Sequence, residues 1–145
     1  MIRWLLRLSD AARHLARARR GPADQAAGRR GEDLSHRYLE RRGLRVVGRN
    51  YRPPGGGGEV DLVAWEGDTL VFVEVKARHT DASGAPERNI GEAKRVALQR
   101  AARAYARRAG VDWERVRFDV VSVLLTQPPD IRHVRDAIRP SGKRK

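Results

Sequence analysis

The sequence predicts a single α/β domain, a mixed central sheet flanked by helices. Three observations lead to it. The patterns run α-β-β-β-α-β along the chain, an order that places helices against a mixed sheet. One strand, Leu70-Val-Phe-Val73, is continuously apolar, as expected when both faces are covered. The length, 145 residues, suits one domain with its own core.

Residues 1–22 read as a basic extension, helical or disordered, closed by Gly21-Pro22. A helix is predicted from about Asp24 to Arg42, with Ala27, Gly31, Leu34, Ser35 and Tyr38 on one face and Gly43 as its stop. Leu44 to Val47 reads as a short strand. Asn50 to Gly58, with Pro53-Pro54 and four glycines, reads as a turn region. Val60 to Trp65 and Leu70 to Val75 form a hairpin about Glu66-Gly67-Asp68. A polar loop covers about Arg78 to Asn89. The second helix spans about Gly91 to Arg108, with Ala93, Ala97, Ala101, Ala104 and Tyr105 as a packing stripe and Gly110 as its stop. Val116 to Leu125 is a strand, and Ile131 to Ile138 a final edge strand. The domain is therefore placed at residues 23–138, with a basic tail at 139–145.

Composition narrows the partners. The net charge of +13 and a pI near 11.4 favour polyanions, nucleic acid above all. Residues 1–30 hold eight arginines against two aspartates. For that segment, contact with an anionic membrane surface is the weaker alternative to phosphate contact. Cysteine is absent, which excludes a disulfide framework and a thiolate metal site and agrees with a cytoplasmic location. No apolar run approaches the ~20 residues of a membrane span. Met1 to Leu8 is too broken by arginine for a signal-peptide core.

The chemistry concentrates in Glu59-Val-Asp61 and Glu74-Val-Lys76. Alternation along a strand puts Glu74 and Lys76 on one face, and Glu59 and Asp61 likewise. If the hairpin pairs the strands, the sets converge. Two carboxylates then make a hard-oxygen site for Mg²⁺ or Mn²⁺, with Lys76 beside it. Lysine is informative in this chain. There are four lysines, Lys76, Lys94, Lys143 and Lys145, and arginine carries every other positive side-chain charge. A position needing only surface charge would be arginine; lysine is compact and shifts its pKa readily. Charges placed after a buried apolar run are costly without a partner or a metal.

Glu32, on the first helix, is a further candidate, directly or through water. Lys94 and Arg95 open the second helix, where backbone amides also attract anions. Arg49, Tyr51, Arg52 and Arg78 complete the expected nucleic-acid contacts, Tyr51 as a stacking ring in a loop. Gly55 to Gly58 lacks the following Lys-Ser or Lys-Thr of a phosphate loop and reads as a flexible turn. The histidines show no zinc spacing, and no Gly-x-Ser-x-Gly elbow is present.

Gly31-Glu32, Arg49-Asn50-Tyr-Arg52, Gly58-Glu-Val-Asp-Leu62, Val71-Phe-Val-Glu-Val-Lys76-Ala-Arg78, Lys94 and Arg117-Phe-Asp-Val-Val121 together resemble the YraN family. That group is placed in the PD-(D/E)xK nuclease superfamily and is similar in its core to archaeal Holliday-junction resolvases. The resemblance covers about residues 25–138 and leaves the first 22 outside. It implies a restriction-endonuclease-like fold, metal ligation by Asp61 and Glu74, the catalytic lysine at Lys76, the first-helix glutamate at Glu32 and the helical basic residue at Lys94. Val60 stands where the superfamily has proline, a trait of the family itself. Resolvase-like relatives are often dimers, so a homodimer is compatible with it. Two functional readings follow: a Mg²⁺-dependent endonuclease acting on DNA, branched DNA included, or a non-catalytic nucleic-acid-binding module on the same fold.

Overall fold

The computed structural model describes residues 22–80 and 90–140. They form α1 (Pro22–Arg41), β1 (Arg45–Tyr51), β2 (Val60–Glu66), β3 (Thr69–Arg78), α2 (Glu92–Ala109), a short 3-10 turn (Trp113–Arg115), β4 (Val116–Leu124) and β5 (Asp130–Val134). The N-terminal extension, the greater part of the polar loop and the last five residues lie outside the described residues.

The strands make one five-stranded sheet in sequence order. β1, β2 and β3 are antiparallel neighbours, β3 and β4 run parallel, and β5 returns antiparallel to β4. The parallel step requires a crossover, and α2 lies within it. This is the mixed sheet flanked by helices that the element order predicts.

Alternation along the strands builds two cores. Leu70, Phe72, Val116, Phe118 and Val120 bury one face with Leu98, Ala101, Ala102 and Ala106 of α2. Val71, Val73, Val121 and Val123 bury the other with Leu39 of α1. β3 thus carries a run that is apolar on both sides because both sides are covered. Each fully buried side chain of this size contributes roughly 1.5–3 kcal/mol.

Gly31 explains how closely α1 lies on the sheet. A Cβ there would come within 2.4 Å of the Ala77 Cβ, so only glycine allows the approach. Gly58 does the same for α2. Its φ is +152°, and a Cβ would meet the Ala97 carbonyl oxygen at 2.0 Å. The glycine run is therefore partly packed against a helix, rather than a flexible turn throughout.

Several expected boundaries move. β1 extends to Tyr51, past the predicted Val47, because a register shift between Val46 and Gly48 breaks the alternation a sequence reading relies on. Tyr51 is a strand residue, not a loop residue. The packing stripe of α2 is Ala97, Leu98, Ala101, Ala102 and Ala106; Ala93 is exposed and Ala104 lies off the stripe. β5 ends at Val134. Asp136, at φ +53°, turns the chain, the Ala137 amide donates to the Phe118 carbonyl, and Ile138 folds back into the α2-side core. Its burial comes from that turn and not from a strand.

Candidate metal centre

β2 and β3 pair as far as Leu62 opposite Val73. Beyond that point β2 stays with β1, and β3 stays with β4. At the parting, the Val75 amide donates to the Asp61 carboxylate at 2.8 Å instead of to a strand carbonyl. Glu74 follows Phe72 on the α2 face and is buried. The predicted convergence of Asp61 and Glu74 is thus realised where two strands separate and stop satisfying each other.

Cations gather on Glu74. The Lys94 Nζ, from the first turn of α2, lies 2.5 Å from Glu74 Oε1, and the Lys76 Nζ lies 4.0 Å from the same oxygen. Glu32 reaches the edge of the cluster from α1. Its carboxylate accepts from Asn50 Nδ2 at 3.1 Å and stands 3.5 Å from the Arg49 guanidinium.

The ionisation equilibria record the crowding. Burial, and then the neighbouring Glu74 charge, push the Asp61 carboxyl well above its ordinary range; the Val75 amide and Lys94 only partly offset them. Burial and the adjacent Lys94 bring Lys76 down to about 8, against the pull of Glu74. Burial would lower Lys94 too, but the Glu74 charge and hydrogen bond outweigh it and hold Lys94 above the usual lysine range.

Among the described residues no group of three or more His, Cys, Asp and Glu side chains is assembled for a metal. Two oxygen-only carboxylates nevertheless fit Mg²⁺ or Mn²⁺. Such ions are commonly held by one or two carboxylates, with waters and substrate phosphate completing the shell. Burial and the Glu74 charge both disfavour ionised Asp61, and a divalent cation would offset both. The donor set does not suit zinc, which favours nitrogen and sulfur ligands.

The expected nucleic-acid contacts divide. Arg49 pairs with Asp33 at 2.8 Å, beside Glu32, and borders the cluster. Arg52 pairs with Glu59 at 3.1 Å. The Tyr51 ring meets Tyr105 edge-on at 5.0 Å with its hydroxyl buried, so it packs, half-buried, against the α2-side core. Arg95 is half-buried, its Nε enclosed without a partner. Arg78 ends β3 opposite Leu124.

A second charged cluster is absent from the sequence reading. Asp119, fully buried on β4, accepts from Arg117 Nε at 2.8 Å, from Arg117 again at 2.9 Å, and from the Asp136 amide at 3.0 Å; His133 Nε2 lies 2.7 Å away. Arg117 and Arg135 also bind Glu66. The signal available was an aspartate inside the apolar run Phe118-Asp-Val-Val121, which demands partners.

Residues 31–123 match the model of a family described as "Uncharacterised protein family UPF0102". A UPF0102 protein of Solibacter usitatus is 50% identical over 137 residues, covering 94% of this chain and 99% of that protein. Relatives of the same name in Rhodococcus jostii and Geobacter sulfurreducens are 46% and 44% identical, covering 77% and 76% of this chain and 95% and 86% of theirs. The Solibacter match is longer than residues 23–145, so it takes in part of the N-terminal extension.

Proposed function

The chain belongs to the UPF0102 family, and from that premise we propose that it is a metal-dependent nuclease of the PD-(D/E)xK type, hydrolysing DNA phosphodiester bonds. One observation carries the reading: Asp61 and Glu74 meet beside Lys76 where β2 and β3 part. Asp61 and Glu74 would hold the ion. A bound Mg²⁺ or Mn²⁺ supplies Lewis acidity toward phosphate oxygens and water. Lys76, with its pKa lowered to about 8, exchanges protons near neutral pH and is suited to orient the attacking water. Glu32 adds negative charge at the rim, and Arg49, paired there with Glu32 and Asp33, would meet a phosphate. In the reaction water attacks phosphorus, the bond to one ester oxygen breaks, and that oxygen leaves with a proton. The excess of +13 supports a polyanionic substrate.

The test is a panel of single-stranded, duplex, flap and four-way DNA with Mg²⁺ or Mn²⁺. Cleavage is expected to fall by about 100-fold or more in Asp61→Asn and in Lys76→Ala, the scale of losing one preorganised electrostatic group. Cleavage that survives both substitutions would falsify the assignment. The same basic excess favours a second reading, a module that binds without cutting. It is distinguished by salt-sensitive, metal-independent binding with no cleavage of any substrate.

A further inference from the structure

We propose that Lys94 is an internal cation for this site: its ammonium holds Glu74 in the metal-free protein, and a divalent ion must displace it. The inference rests on the metal-site reading above.

The geometry sets up the competition. Lys94 Nζ and an incoming ion would compete for one buried carboxylate, Glu74, whose Oε1 the ammonium already approaches at 2.5 Å. Mg²⁺ requires its ligand oxygens at about 2.0–2.1 Å, so ammonium and ion cannot both occupy the open side of that carboxylate. The Glu74 side chain is 5% exposed and has little freedom to turn its charge elsewhere. The Lys94 side chain is 45% exposed, whereas that of Lys76 is 24% exposed. Lys94 therefore leaves at least cost, by swinging its stem toward solvent, and Lys76 stays at its post on β3.

The arrangement also explains why the acidic pair tolerates the absence of metal. A buried carboxylate beside a second one needs a cation, and removing its partner leaves an uncompensated charge. Lys94 supplies that cation, and its departure sets the metal concentration at which the site loads. Linkage makes the effect reciprocal: whatever Lys94 takes from metal affinity, the metal takes from the Lys94–Glu74 pair.

The chain has four lysines, so amine acylation read by mass spectrometry resolves Lys94 individually in the full-length wild-type protein. Saturating Mg²⁺ is expected to raise acylation at Lys94 by about fivefold or more, the low end of typical coupling between ligands. In Glu74→Gln, Lys94 should acylate fast without metal and not respond to it. Calorimetry should show Mn²⁺ binding roughly tenfold tighter in Lys94→Gln, again within the usual coupling range. Unchanged Lys94 acylation alongside Mn²⁺ binding that Asp61→Asn abolishes overturns the proposal and leaves the nuclease reading standing. Absence of any Asp61-dependent Mn²⁺ binding removes the metal site and this proposal together. The footprint needs no substitution, so a poorly folding variant does not block it.

Discussion

Glu74 and Asp119 stand one register step apart on adjacent strands, Glu74 opposite Val120 and Asp119 opposite Val73, yet they face opposite sides of the sheet. On the α1 side, Asp119 is fully enclosed by donors. Burial alone would raise its carboxyl, but His133, Arg117 and the Asp136 amide together hold it below its ordinary value of 3.8. Burial opposes ionisation of Glu66 as well, and Arg135 and Arg117 outweigh it. On the α2 side, Asp61 has one amide and a share of Lys94 against the Glu74 charge, and its carboxyl rises. Both clusters bury carboxylates within a single sheet. What separates them is how the partners are disposed. Donors from three strands and a turn converge on Asp119 and Glu66, which makes a clasp. The second cluster sets Lys94 and Lys76 on Glu74 and leaves Asp61 a single amide, and it is the receptor of the proposed metal.

The largest expected effect tests that division through stability. Asp119→Ala leaves Arg117 with Glu66 alone and takes the acceptor from His133 and the Asp136 amide, and should cost about 3–5 kcal/mol in urea denaturation, the usual cost of breaking a buried pair. Asp61→Asn removes a carboxylate that ionises at a cost and keeps a polar oxygen for the Val75 amide. Its stability should stay within about 1 kcal/mol of the parent, in the range of a replaceable hydrogen bond. Equal losses in the two variants would erase the distinction between clasp and receptor.

The two clusters were unequally legible in the sequence. Glu74 and Lys76 end a continuous apolar run, and Asp61 begins the neighbouring strand, so alternation and one hairpin sufficed to bring them together. Lys94 was visible as a basic residue opening a helix, but not its reach to Glu74, since that depends on how α2 lies across the sheet. The Asp119 clasp draws on Glu66, Arg117, His133 and Arg135, which come from three strands and a turn, so no local spacing signals it. Tyr51 was misplaced for a related reason. The irregular register of β1 hid the strand, and a tyrosine flanked by arginines reads the same in a loop as on a sheet edge. Gly31 gave no sign of its role either, because its constraint is the Ala77 side chain on a strand far along the chain.

A smaller effect sharpens the contrast from the receptor side. Gly31→Ala would press a methyl group onto Ala77, the residue after Lys76. Overpacking of this kind typically costs about 1–3 kcal/mol. Gly28→Ala, three residues earlier on the same helix, meets nothing within 4 Å and should be neutral or stabilise by up to about 1 kcal/mol, as alanine does in a helix. Thermal melts of the pair measure the difference. Gly31→Ala should also weaken Mn²⁺ binding, because shifting the end of β3 moves Lys76 and Glu74. Asp119→Asn, acting on the opposite face, should leave binding in the folded protein within about threefold, as for sites with no shared partner. A Gly31→Ala variant as stable as Gly28→Ala would show that the close approach of α1 is not a constraint.

The smallest effect separates the clusters by pH, because their shifts have opposite sign. Asp119 is held below its ordinary value, so its stabilising contribution is present above about 3.9, the unfolded carboxyl value, and is lost as pH falls through its lower folded value. Asp61 is held above 3.8, so its contribution is fully present below that value and is lost as pH rises through its folded value. Metal binding should recover the loss on the receptor side alone. At ten times its Kd, Mg²⁺ should add about 1.4 kcal/mol to stability near neutral pH. The increment should shrink as acid protonates Asp61, at a pH where the Asp119 clasp still holds. Denaturation with Mg²⁺ and with EDTA, from pH 8 down to the onset of acid unfolding, measures both limbs. An Mg²⁺ increment that stays constant until the fold itself fails would mean that the ion binds somewhere other than the carboxylates at the β2–β3 parting.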